Sequence, residues 1–219
     1  MDNRVIIAED HPLFRTALEA ALRQALETVA ITEASSIASL QNAIATEANL
    51  DLILLDLNMP GAHGFSGLLH IVSQLPKVPV LVISSQDDET VIRKAIGYGA
   101  TGFISKASPM SSIRQAIQHV IKGKRWIPDN IDMSTDTPLE KIGIEDKIAT
   151  LTSQQFRVLG MISEGMLNKQ IAWELSISEA TVKAHVTAIF RKLGVRNRTQ
   201  AVITLNQLEL DSNAPSATD

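Results

Sequence analysis

The sequence contains no cysteine. Disulfides, thiolate metal sites and a cysteine nucleophile are therefore excluded, and a reducing compartment is the natural setting. Long apolar runs are missing as well. The longest, such as Leu52–Leu55, have the length of a strand and fall far short of a bilayer. The first residues, Met1 to Ala8, turn acidic at Glu9 and Asp10 before an export-type apolar segment can form. The expectation is a soluble cytoplasmic protein with no membrane partner. No internal repeat is present either, so solenoid and propeller folds drop out.

What is there is a chain of 219 residues, 45% hydrophobic and 20% charged, enough for a packed core in one or two domains. Its net charge of −4 conceals an asymmetry. Residues 149–205 carry seven basic and three acidic side chains, whereas residues 126–148 carry two and six. A basic block in an acidic chain points towards a polyanion partner.

Short apolar runs alternate with amphipathic ones through the first half. Residues 4–8, 29–34, 51–55, 80–84 and 102–105 read as strands, most without polar alternation, as in strands covered on both faces. Residues 13–27, 37–46, 67–75, 90–98 and 109–122 read as helices. Five such repeats imply a parallel sheet with right-handed crossovers and helices on both faces. The functional crevice of such a sheet lies at the carboxyl ends of its strands. The pattern fades after Gly123. Residues 126–148 contain Pro128 and Pro138 and read as a linker, with a short helix near 139–147. From residue 149 only helices follow: 153–164, 169–175, 179–193 and 198–208. Thr152 with Gln155 forms a capping box, and Asn168, Ser178 and Asn197 are placed to cap the next three. Residues 209–219 read as a flexible tail.

Polar residues gather at the strand ends: Glu9 and Asp10 after the first, Asp56 at the third, Ser84 at the fourth, Lys106 after the fifth. Three neighbouring carboxylates repel and call for a cation. Hard oxygen ligands suit Mg²⁺, which also bridges to phosphate. Lys106 supplies a point charge for a phosphoryl oxygen, and Ser84 a hydroxyl. Asp56 is then a nucleophile for phosphorus, giving an acyl phosphate.

Residues 1–125 resemble the CheY-like receiver domain of two-component response regulators. The resemblance rests on Ala8-Glu9-Asp10-His11-Pro12, on Leu54-Leu55-Asp56-Leu57-Asn58-Met59-Pro60-Gly61, on Val82-Ile83-Ser84-Ser85, and on the run from Gly99 to Lys106. It implies a flavodoxin-like sheet of order 2-1-3-4-5 and Asp56 as the phosphoacceptor of a sensor histidine kinase. Mg²⁺ would be held by Glu9, Asp10, Asp56 and the backbone carbonyl of Asn58. Ser84 would be the switch hydroxyl, and Phe103 the aromatic that packs inward on activation.

In the second half, residues 168–175 form a short helix, 176–178 a turn and 179–193 a longer helix. Val182, Val186, Ile189 and Leu193 share one face and should pack inward. Lys183, Ala184, Thr187 and Arg191 fall on another, suited to the major groove of DNA. Lys192, Arg196 and Arg198 are placed to hold phosphates. His185 reads equally as a phosphate donor or a surface residue, and Trp173 as helix packing.

Residues 149–208 resemble the LuxR-type helix-turn-helix domain, through Leu151-Thr152, Val158-Leu159, Gly165, Asn168-Lys169, Ile171-Ala172, Leu175, Ile177-Ser178, Thr181-Val182-Lys183, His185, Leu193-Gly194 and Arg198. Gln155 departs from the usual Glu, and Thr187 from a longer polar residue. Together the two halves resemble the NarL/FixJ type of regulator. That implies a DNA-binding transcription factor, not an enzyme in the ordinary sense, active as a homodimer on paired half-sites. Two rivals stand beside it. One is a regulator whose receiver no longer takes phosphate. The other is an aspartyl-nucleophile phosphatase, against which Asn58 argues, since such enzymes place a second Asp there.

Overall fold

A computed structural model describes residues 2–131 and 143–208. Residues 132–142 and the expected tail, 209–219, lie outside the described residues. The first half runs β1 (Asn3–Ala8), α1 (Pro12–Ala25), β2 (Val29–Ala34), α2 (Ile37–Thr46), β3 (Leu52–Leu55), α3 (Ser66–Gln74), β4 (Val80–Ser84), α4 (Glu89–Gly97), β5 (Gly102–Ser105) and α5 (Met110–Val120). The sheet is fully parallel, in the order β2-β1-β3-β4-β5. This is the expected doubly wound order, and it brings the ends of β1 and β3 side by side, with Ala8 paired to Leu55.

β3 and β4 are buried along their whole length, which explains their unbroken apolar runs. Alternate side chains serve opposite faces. Val5, Ile7, Leu52, Leu54, Leu81 and Ile83 pack with Leu18, Leu22, Ile113 and Ile117 of α1 and α5. Ile6, Ile53, Leu55, Val80 and Val82 pack on the other face under α2, α3 and α4. That second core does not stop at the sheet domain, because Phe156, Leu159 and Ile162 of the second half belong to the same cluster.

Part of the expected linker is structured. The Phe103 N–H donates to the Trp126 carbonyl at 2.9 Å, and the Trp126 N–H to Thr101 O at 3.3 Å, so the chain after α5 lies along β5. Gly102 permits this approach: a Cβ there would meet Trp126 at 3.0 Å.

The second half consists of α6 (Ile144–Ala149), α7 (Ser153–Ser163), α8 (Asn168–Glu174), α9 (Glu179–Leu193) and α10 (Arg198–Asn206). Of the short helix expected near 139–147, residues 139–142 lie outside the described residues, and α6 covers its second part, so the described helical region has one helix more than the core four. Thr152 and Gln155 form the expected capping box, at 3.3 and 3.1 Å. Ser178 caps Thr181 N–H at 3.0 Å and Asn197 caps Gln200 N–H at 2.9 Å. Each such cap contributes about 1 kcal/mol. Asn168 is not a cap. It is the first helical residue, and the N–H of Leu167 before it is satisfied by the Gln170 side chain at 2.7 Å. Trp173 also departs from expectation: it is 81% exposed rather than packed.

The two halves meet along α3 and the loop before it. The Gly160 backbone of α7 presses on Gly61, and a Cβ at Gly160 would sit 2.6 Å from the Gly61 carbonyl oxygen. Ser163 Oγ donates to Gly160 O at 2.5 Å, so the ring N–H of His63 donates to that hydroxyl at 2.6 Å. The Tyr98 hydroxyl donates to Glu145 at 3.1 Å, and Phe65 N–H to Leu208 O at 3.0 Å. Burial and the Glu145 carboxylate push the Tyr98 phenol up to about 12.

Candidate functional site: an acidic crevice and an exposed helix face

Asp56 follows β3 directly, and its backbone N–H donates to Ala8 O at 2.9 Å, extending the β1–β3 ladder to the sheet edge. Its carboxylate is therefore carried by the rigid centre of the sheet. Glu9 is anchored the same way, its N–H donating to Ala34 O at 2.9 Å. Both side chains are buried, each 1% exposed.

Lys106, just past β5, reaches back to both. Its Nζ lies 2.8 Å from Asp56 Oδ2 and 2.7 and 2.9 Å from the Glu9 oxygens. The ammonium also stands 5.1 Å from the centroid of the Phe14 ring, a cation–π distance. Burial pulls the Lys106 pKa down, but hydrogen bonds and charges from Asp56 and Glu9 outweigh it, and the net shift is upward. The lysine stays charged.

Asp10 completes the acidic group. Oxygens of Glu9, Asp10 and Asp56 and a ring nitrogen of His11 all lie within 4.8 Å of one another. Three carboxylates face one ammonium, so the cluster is left negative, and its donors are those a hard divalent cation takes. The residues present fit Mg²⁺. Asn58 is exposed in the loop beyond, its N–H donating to Asp56 Oδ1 at 3.2 Å. Ser84 is fully buried at the end of β4, and its hydroxyl accepts from Gln86 N–H at 3.1 Å. Phe103 is also fully buried.

Glu9, Asp10, Asp56 and Lys106 thus converge as expected. His11 was not anticipated as part of this group, although its place directly after an acidic pair was the available signal.

The second site is the outer face of α9. Val182, Ile189 and Leu193 are buried and Val186 packs against them, which turns Lys183, Ala184, Thr187 and Arg191 to solvent. His185 is half-buried and Arg196 exposed. Lys192 and Arg198 are engaged within the domain. Lys192 Nζ donates to Thr150 O and Gln155 Oε1, both at 2.7 Å. Arg198 donates to Ile162 O at 2.8 Å and Met166 O at 2.6 Å. In this conformation Lys192 is tied to one main-chain and one side-chain oxygen and Arg198 to two main-chain oxygens, so both cross-link helices of the domain.

Among the described residues no helix is long and apolar enough to cross a membrane. A 2-1-3-4-5 sheet with acidic residues at its edge, followed by a helix-turn-helix, defines a two-domain regulator. The family comparisons agree. Residues 5–118 match the response regulator receiver domain, and residues 149–205 match the bacterial regulatory proteins of the luxR family. The chain is 38% identical to a glycerol metabolism activator of Pseudomonas putida, over 94% of this chain and 96% of that protein. It is 32% identical to the nitrate/nitrite response regulator NarP of Escherichia coli K12, over 93% and 94%. Among solved structures, RcsB of Salmonella enterica serovar Typhimurium, bound to a promoter in the presence of phosphomimetic BeF3⁻, aligns with TM-score 0.55 and 25% identity, covering 95% of this chain and all of that one. The chain therefore belongs to the two-component response regulators that join a receiver to a LuxR-type DNA-binding domain.

Proposed function

We propose that Asp56 is the phosphoacceptor of this regulator and that its phosphorylation controls DNA binding by the second domain. The observation that carries this is the Asp56 carboxylate, buried at the sheet edge, held by Lys106 and flanked by Glu9 and Asp10. A carboxylate oxygen of Asp56 attacks the phosphorus of a phosphohistidine on a sensor kinase. The P–N bond breaks as the P–O bond forms, and the released imidazole takes a proton from solvent. The Lys106 ammonium, already within hydrogen-bond reach, neutralises charge on the transferring group. Ser84, at the neighbouring strand end, turns its hydroxyl to a phosphoryl oxygen, and Phe103 holds the pocket it leaves. Mg²⁺, held by Glu9, Asp10, Asp56 and the Asn58 carbonyl, supplies further charge neutralisation when bound.

Residues 1–125 act as the receiver, 126–148 as the connection and 149–208 as the DNA reader. The two share a seam at Gly61, in the loop that follows Asp56, so a change at the acyl phosphate has a short route to α7. A second route runs from Phe103 into the segment at Trp126. On DNA, Lys183, Ala184, His185, Thr187 and Arg191 meet the major groove and Arg196 a phosphate. A homodimer would place two α9 helices on half-sites about one helical turn apart or a multiple of it. The RcsB structure, which joins DNA to a phosphomimetic, supports extending that pairing to this chain.

The test is intact mass after incubation with a small phosphodonor and Mg²⁺. One alkali-labile, hydroxylamine-labile phosphoryl group on wild type and none on Asp56→Asn is expected. Unmodified wild type would favour the receiver that no longer takes phosphate. Continuous release of phosphate from small phosphoesters would favour the phosphatase.

A further inference from the structure

His11 introduces a nitrogen into an otherwise all-oxygen crevice. Its Nδ1 lies 2.9 Å from Glu9 Oε1 and 2.8 Å from Asp10 Oδ1. Its backbone N–H also donates to Glu9 Oε1 at 3.0 Å, which holds the residue against the acidic pair. The ordinary task for a side chain at this place would be to cap α1, but the His11 ring makes no capping bond. The ring is 67% exposed, so it fills no core space either. What it does is aim one nitrogen at the point where two carboxylates converge, with Asp56 in the same cluster.

As the Nδ1–H tautomer the ring donates to Glu9 Oε1 and stands 2.8 Å from Asp10 Oδ1, which has no hydrogen-bond partner among the described residues. As the other tautomer it presents a lone pair at the same point. Carboxylate and carbonyl oxygens suit Mg²⁺, whereas an imidazole nitrogen adds affinity for first-row transition metals and little for Mg²⁺. We propose that His11 is a nitrogen donor that makes this crevice prefer Mn²⁺ or Co²⁺ over Mg²⁺. The proposal rests on reading Glu9, Asp10 and Asp56 as a cation site.

The experiment is direct binding of Mg²⁺, Mn²⁺ and Co²⁺ to the full chain, by calorimetry and, for Co²⁺, by its visible spectrum. The proteins are wild type, His11→Ala and Asp10→Asn. Expected for His11→Ala is a loss of about tenfold or more in Mn²⁺ and Co²⁺ affinity, with Mg²⁺ changed less than about twofold. The Co²⁺ bands should also move to those of an all-oxygen site. An equal loss for all three cations would make His11 a positioning residue and overturn the proposal, as would unchanged Mn²⁺ affinity. Asp10→Asn should weaken all three. If wild type binds none of them, the failure lies with the cation site itself rather than with His11.

Discussion

The imidazole of His70, on α3 of the receiver, lies flat on the phenyl ring of Phe156, on α7 of the DNA-binding domain. The centroids are 4.3 Å apart and the planes 2° from parallel. His70 is buried, and neither ring nitrogen has a hydrogen-bond partner among the described residues. Desolvation lowers its pKa from 6.5 to about 4. Docking therefore holds His70 neutral, whereas the undocked or unfolded state takes up a proton below about pH 6.5. The stabilisation is full above that value and is lost as pH falls towards 4. Between pH 7 and pH 5 the seam should weaken by about 2 kcal/mol. His70→Phe keeps the stack and removes the charge. It should abolish most of this pH dependence, read as scattering-derived size against pH. An unchanged pH profile in His70→Phe would locate the sensitivity elsewhere.

Gly160→Ala tests the seam sterically. The added methyl would meet the Gly61 carbonyl oxygen at 2.6 Å, backbone against backbone, with no flexible side chain to yield. Within α7 itself alanine is the better helix former by about 1 kcal/mol. The variant should therefore keep its far-UV circular dichroism while its radius of gyration rises as the domains separate. An unchanged radius would mean the close approach is not needed for docking.

Lys106→Met leaves Glu9 and Asp56 as buried carboxylates without their cation. Removing one partner of such a group costs about 3 kcal/mol or more. Thermal unfolding should show that loss, and added divalent cation should recover part of it. A variant as stable as wild type would mean the carboxylates are less dependent on Lys106 than their 2.7–2.9 Å contacts imply.

The helix-turn-helix cations should divide into two groups. Lys183 is 65% exposed and pairs with the exposed Glu179 at 3.0 Å. Lys183→Ala should weaken sequence-specific DNA binding by about 1–3 kcal/mol and leave the melting temperature alone. Lys192→Ala and Arg198→Ala should lower the melting temperature first, by about 1–3 kcal/mol of stability, because each removes two hydrogen bonds that tie helices together. Equal thermal stability across the three variants would return Lys192 and Arg198 to the phosphate-contacting set.

The strands were legible because β3 and β4 are covered on both faces, leaving unbroken apolar runs such as Leu52–Leu55. The crevice was legible because a doubly wound sheet gathers its strand ends, so Glu9, Asp10, Asp56 and Lys106 needed only their positions after successive strands. Local chemistry also read well at Thr152, Ser178 and Asn197, whose caps act within one helical turn. Asn168 misled because cap propensity alone cannot tell Ncap from the first helical residue when Gln170 offers another route to the N–H of Leu167. The intradomain partners of Lys192 and Arg198, Thr150 and Ile162, were not legible because they lie some 40 residues away in the chain. The seam was not legible at all. His63, His70, Tyr98 and Gly160 carry no local pattern that foretells Ser163, Phe156, Glu145 and Gly61 as partners. Residue type alone points to packing for Trp173, yet α8 buries Ile171 and Ala172 and leaves the indole in solvent.

The most direct measurement is DNA affinity by fluorescence anisotropy at one fixed salt concentration, for wild type and Asp56→Asn, each with and without phosphodonor and Mg²⁺. On a selected operator, wild type should bind about tenfold tighter after phosphorylation, with a larger complex by sizing, while Asp56→Asn should not respond. Stoichiometrically phosphorylated wild type that binds no better, or an Asp56→Asn variant that gains as much, would contradict control of DNA binding through Asp56.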